Sequence, residues 1–132
     1  MNKTIIFDTD IISTFAKIDK LDLLENIFPK DNLKITSEIY EELSVPLDYG
    51  YNFPKKIYDK LEILPLNKKE QKLYQNLILE NETLDKGELE AITACIERKH
   101  LVFSSLDDQA LKFAREKGVD TLLEAAAALN DI

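Results

Sequence analysis

Residues 3–13 read KTIIFDTDIIS: a short apolar run with β-branched residues, then Asp8 and Asp10 on either side of a threonine, then apolar residues again. The run does not alternate apolar with polar, which is the pattern of a strand covered on both faces, as in a parallel sheet. Acids at the carboxyl end of such a strand stand where open parallel sheets gather their ligands. Other runs read as strands: LKIT at 33–36, LEILPL at 61–66, HLVFSS at 100–105 and GVDTL at 118–122. Between them lie helical stripes, Leu21/Leu24/Phe28, Leu73/Leu77/Leu84, Leu89/Ile92/Ile96 and Leu111/Phe113/Ala114. Strand-then-helix repetition predicts an α/β fold, a three-layer α/β/α sandwich around a mostly parallel sheet.

Local signals agree with that layout. Asn67 followed by Glu70, and Asp85 followed by Glu88, have the spacing of capping boxes. Gly118 stands where the helix DQALKFAREK should stop. SVPLDYGYNFP, residues 44–54, reads as the one long loop, and the terminal LLEAAAALNDI reads as an Ala-rich helix. The 132 residues show no internal repeat or linker, so a single domain over 1–132 is expected.

Charge and composition narrow the function. With 25 Asp and Glu against 17 Lys and Arg the net charge is −8, which argues against nucleic-acid binding through a broad basic surface. It leaves room for a substrate bridged by metal. The densest basic residues, Lys55, Lys56 and Lys60, suit a solvated helix face. Cys95 is the lone cysteine and lies in an apolar helical pattern; His100 is the lone histidine, at a predicted helix end. Neither a disulfide framework nor a cysteine zinc site is available, no apolar run reaches the length of a membrane span, and a soluble cytoplasmic protein is expected.

Asp107 follows the other strong strand as Asp8 follows the first, so the two acids are expected to share one crevice. Carboxylates that close repel, and a hard divalent cation between them makes the cluster tolerable. Glu88 lies on the side of its helix with Ile92 and Cys95, and Glu42 is three residues after Ile39, so both can face the crevice. Each has a plainer alternative: Glu88 as the partner in a cap at Asp85, Glu42 as part of a solvated face.

These residues carry a resemblance to the PIN domains, small α/β/α metal-dependent nucleases that include VapC-type toxins of toxin–antitoxin pairs. IIFDTDIIS resembles the family's opening strand and first acid, at Asp8. ITSEIYEEL resembles the second strand and helix, with its acid at Glu42. LDKGELEAI resembles the helix start bearing the third acid, at Glu88. LVFSSLDDQALKFAREKGV resembles the fourth strand, its acid at Asp107, and a helix ending at glycine. The resemblance implies a ribonuclease in which Asp8, Glu42, Glu88 and Asp107 hold Mg²⁺ or Mn²⁺ and hydrolyse single-stranded RNA, with an antitoxin and a homodimer as possible partners. Asp10, Asp108, Thr9 and Ser104 would surround the cluster, and Ser13 and Ser105 lie close enough to orient carboxylates or water. Asp10 departs from the small polar residue common in the family, and the stretch after GV is short, implying an abbreviated fifth strand or a trimmed terminus.

Three rivals remain at this stage. DTD also resembles the opening of haloacid-dehalogenase-type phosphotransferases, with Asp8 as nucleophile, although their later lysine and acidic pair find no match. A receiver domain lacks its middle-strand aspartate and later lysine. A PIN-like module that binds RNA or protein without catalysis would keep the fold and lose the chemistry.

Overall fold

The computed structural model describes residues 3–28 and 32–122. Strand β1 (Thr4–Phe7) leads into α1 (Thr9–Lys17) and α2 (Leu21–Ile27). β2 (Asn32–Thr36) leads into α3 (Ser37–Asp48) and α4 (Phe53–Lys60), and β3 (Glu62–Leu64) into α5 (Lys68–Glu80) and α6 (Lys86–Glu97). β4 (Leu101–Ser104) is followed by α7 (Asp108–Glu116). All strand pairs are parallel, in the order β3-β2-β1-β4. β1 therefore sits between β2 and β4, with Ile5 opposite Leu33 and Phe7 opposite Ser104.

Every residue of β1 and β4 is buried, as unbroken apolar runs require when helices cover both sides of a sheet. Helices α1 to α4 pack on one another, α5, α6 and α7 form a second group, and α3 meets α6 between them. This is the three-layer α/β/α sandwich that strand–helix alternation implied. Phe7, Ile12, Ile35, Ile39, Leu89, Ile92 and Phe103 are among its most buried side chains, and Cys95 lies with them as a small buried residue.

Both expected capping boxes form. Asn67 Oδ1 accepts from the Glu70 N–H at 2.8 Å, and Asp85 Oδ1 accepts from the Glu88 N–H at 2.8 Å. Glu70 has a further role: its buried carboxylate takes Arg98 Nε at 2.8 Å and Nη2 at 2.7 Å, while Nη2 also donates to the Pro65 carbonyl. That bidentate pair ties the start of α5 to the residue that ends α6. Gly118 follows α7 at φ +76°, a left-handed conformation that suits glycine.

Two expectations change. The segment 44–54 is not one loop, because α3 continues to Asp48 with Pro46 inside it. Proline in the last turn forfeits only the N–H that would have reached the Glu42 carbonyl, and the N–H groups of Tyr49, Gly50 and Tyr51 close the end onto Pro46 and Leu47. GVDTL forms a single parallel bridge, Thr121 to Phe103, with the Phe103 N–H donating to the Asp120 carbonyl at 2.9 Å. It extends the sheet beside β4 by one contact. The Ala-rich segment from 123 onward lies outside the described residues. No helix among the described residues is long and apolar enough to cross a membrane.

Candidate functional site

The chain leaves β1 toward β2 on one side, and β4 returns on the other, so the strand order reverses beside β1 and opens a crevice at the carboxyl ends of β1 and β4. Asp8 sits there because it is both the residue after β1 and the N-cap of α1. Its Oδ1 accepts from the Thr9 N–H at 2.7 Å and its Oδ2 from the Ser105 hydroxyl at 3.0 Å, while its own N–H donates to the Ser104 carbonyl. Ser105 Oγ in turn accepts from the Asp107 N–H at 3.0 Å. One hydroxyl thus links the first acid to the fourth.

Asp107 is the N-cap of α7, its Oδ1 accepting from Gln109 N–H at 2.8 Å and, more weakly, from Ala110 N–H at 3.4 Å. Asp107 is half-buried, whereas Asp108 points into solvent. Glu88, on the third residue of α6, reaches back to the Asp85 N–H with Oε1 at 3.4 Å, and the Asp107 carboxylate acts on it electrostatically. Its Oε2 is buried with no partner. The cap and the site are the same residue in two roles. Glu42, half-buried on α3, accepts from the Thr9 hydroxyl, and its other carboxylate oxygen packs against Gly87.

The electrostatics follow from this crowding. Asp8 is 3 % exposed, and burial, opposed by its two hydrogen bonds and aided by Asp85 and Asp10, pushes its carboxyl up from 3.8 to about 7. Burial, then the charges of Asp8, Asp85 and Asp107, hold the Glu88 carboxyl well above the ordinary range, and burial does the same to Glu42. The neighbouring charges that act on Asp8 and Glu88 are carboxylates. Asp85, read in the sequence only as a cap, acts electrostatically on Asp8, Glu42 and Glu88 alike.

Among the described residues, no group of three or more His, Cys, Asp or Glu side chains is placed so that it could hold a metal ion without some rearrangement. The donors nevertheless fit a hard divalent cation. They are oxygens, one buried Glu88 oxygen lacks a partner, and the charges of Asp8, Asp85 and Asp107 crowd Glu88 in a way that a cation would relieve. The other residues singled out lie apart or act differently. Asp10 is exposed on the first turn of α1, and the Ser104 contact with Asp8 is through its carbonyl. His100 precedes β4, at the opposite end of the sheet from Asp8. Lys56 pairs with Asp19 at 2.9 Å, and Lys60 with Asp22 and Glu25 at 2.6 and 3.1 Å, so two of the three basic candidates on α4 are engaged in exposed ion pairs.

Comparison with known proteins bears on the family and the fold. Residues 4–122 match the family model DUF3368, described as a PIN domain. The chain belongs to the PIN-domain family. The fold of this PIN domain is similar to that of a chain in the VapBC-1 structure from nontypeable Haemophilus influenzae, with a TM-score of 0.66 and 16% identity over 89% of this chain and 96% of that one. No curated protein matches the chain.

Proposed function

We propose that this PIN domain is a metal-dependent endoribonuclease that hydrolyses phosphodiester bonds in single-stranded RNA, and that it serves as the toxin of a toxin–antitoxin pair. The observation that carries the reading is the meeting of Asp8, Glu88 and Asp107 at the switch point of the sheet, with a buried Glu88 oxygen left unpartnered. Asp8, Glu88 and Asp107 would hold Mg²⁺ or Mn²⁺, with Glu42 at the border of the cluster. When bound, the ion supplies Lewis acidity, which activates water for in-line attack and offsets charge on the phosphate. The chain's own part is orientation. Thr9 N–H and Ser105 aim Asp8, the Asp85 box aims Glu88, and Ser105 ties Asp107 to Asp8. This scheme needs no Ser, Cys or His nucleophile.

The antitoxin rests on the VapBC-1 likeness and the family resemblance, and a homodimer on the resemblance alone. The test is cleavage of a labelled single-stranded RNA. Activity should vanish in EDTA, return with Mn²⁺ or Mg²⁺, and be lost in Asp8→Asn and Asp107→Asn proteins that remain folded. Binding of RNA or of a protein partner without cleavage would replace the nuclease with a binding module. A phosphoryl group trapped on Asp8 would replace it with a phosphotransferase.

A further inference from the structure

Glu42 is the acid whose geometry sets it apart. Its Oε2 accepts the Thr9 hydroxyl proton, and its other oxygen packs against Gly87. Oε1 lies closest to Gly87, so close that a Cβ on that residue would collide with it, and the carboxyl carbon would stand 3.1 Å from that Cβ. Thr9 is the residue after Asp8 and Gly87 the residue before Glu88. Glu42 therefore grips the backbone neighbours of both acids, across the first turns of α1 and α6.

The opposite contact strengthens the same junction. Glu90 of α6, 7 % exposed, accepts the Glu38 N–H at the first turn of α3 at 2.9 Å. α6 thus caps α3 through Glu90, and Glu42 of α3 packs against the first turn of α6 at Gly87. Glu88 differs from Glu42 in this respect, since its buried Oε2 is left unpartnered.

We propose that Glu42 is a positioning residue that braces Thr9 against Gly87 and so sets the spacing of Asp8 and Glu88, and that it is not a metal ligand. The metal part of this inference rests on the function proposed above; the brace does not. The Thr9 hydroxyl is a neutral group that cannot replace an anionic ligand, so the two side chains can be tested as a pair. Mn²⁺ affinity by calorimetry and metal-free unfolding in urea with EDTA are measured for wild type, Thr9→Val, Thr9→Ser, Glu42→Gln and the Thr9→Val/Glu42→Gln double variant. If Glu42 acts by bracing, Thr9→Val and Glu42→Gln each weaken Mn²⁺ binding about tenfold, the double variant is weakened by about the same factor, and Thr9→Ser stays near wild type. Effects that multiply to about a hundredfold, or loss on Glu42→Gln with none on Thr9→Val, would make Glu42 an independent ligand and overturn the proposal. Should wild type bind no Mn²⁺, the metal reading fails, and the brace is judged by the unfolding cycle: non-additive destabilisation upholds it and additive destabilisation overturns it.

Discussion

Replacing Asp8 by asparagine should make the metal-free protein more stable at neutral and alkaline pH, an unusual result for a buried polar residue at the end of a core strand. The carboxyl of Asp8 rises from 3.8 to about 7, chiefly through burial. Between those pH values the native state holds a proton that the unfolded chain has released, so stability falls as pH rises through the window. The loss is complete above about pH 7 and absent below about pH 4. Its ceiling is roughly 4 kcal/mol, from about 1.4 kcal/mol per pH unit. Asparagine removes the charge and keeps the hydrogen bonds: its oxygen can accept from Thr9 N–H, and its amide can donate to Ser105 Oγ. Relaxation around an ionised Asp8 already lowers that ceiling, so a recovery of about 2 kcal/mol is expected, worth roughly 6–10 °C in Tm for a domain of this size. Differential scanning calorimetry in EDTA at about pH 8 and about pH 4 checks it. Asp8→Asn should melt higher than wild type at the first and nearly level with it at the second. Mn²⁺ should then raise wild type alone, by about 2.7 kcal/mol at a hundredfold excess over Kd. A variant that melts below wild type at alkaline pH, or by the same margin at both, would refute the crowded-carboxylate reasoning.

Three further outcomes follow from the same geometry. Glu42→Gln should lower RNA cleavage at least tenfold while Glu41→Gln leaves it near wild type, because Glu42 touches Thr9 and Gly87 whereas Glu41 is exposed. Asp107→Asn should abolish cleavage and Asp108→Asn should not, since Asp107 is half-buried and acts on Glu88 whereas Asp108 is exposed; paired kinetic assays read both. Glu70→Gln should cost about 2–3 kcal/mol in urea unfolding by weakening the charged bidentate grip on Arg98. Arg98 lowers the Glu70 carboxyl against its burial, so this contribution should be present above the ordinary Glu range and fade as pH falls below it.

The sheet was legible because β1 and β4 are covered on both faces, and only unbroken apolar runs such as TIIF and LVFS survive there. Capping boxes were legible because their partners are three residues apart. For Glu88 the sequence posed cap against site, and the structure leaves room for both: one oxygen serves the cap while the other is buried without a partner. What could not be read depends on partners distant in sequence. Ser105 joins Asp8 to Asp107 across the sheet, and Gly87 must lack a side chain because Glu42 fills that space. Glu90 is buried on the N-terminus of a helix 52 residues away, which no local pattern reveals. Pro46 misled through its usual meaning as a helix breaker, whereas a last turn tolerates it.

The central claim is that Asp8, Glu88 and Asp107 together hold one divalent cation, and calorimetric titration of Mn²⁺ into wild type and Asp107→Asn protein at matched ionic strength tests it most directly. The account predicts saturable binding to wild type with release of protons, because the carboxyls held above their ordinary range must ionise to bind the ion, and a loss of at least tenfold in affinity on Asp107→Asn. Weak, unsaturable heats that are the same for both proteins would contradict it and leave the cluster as crowded acids without a metal.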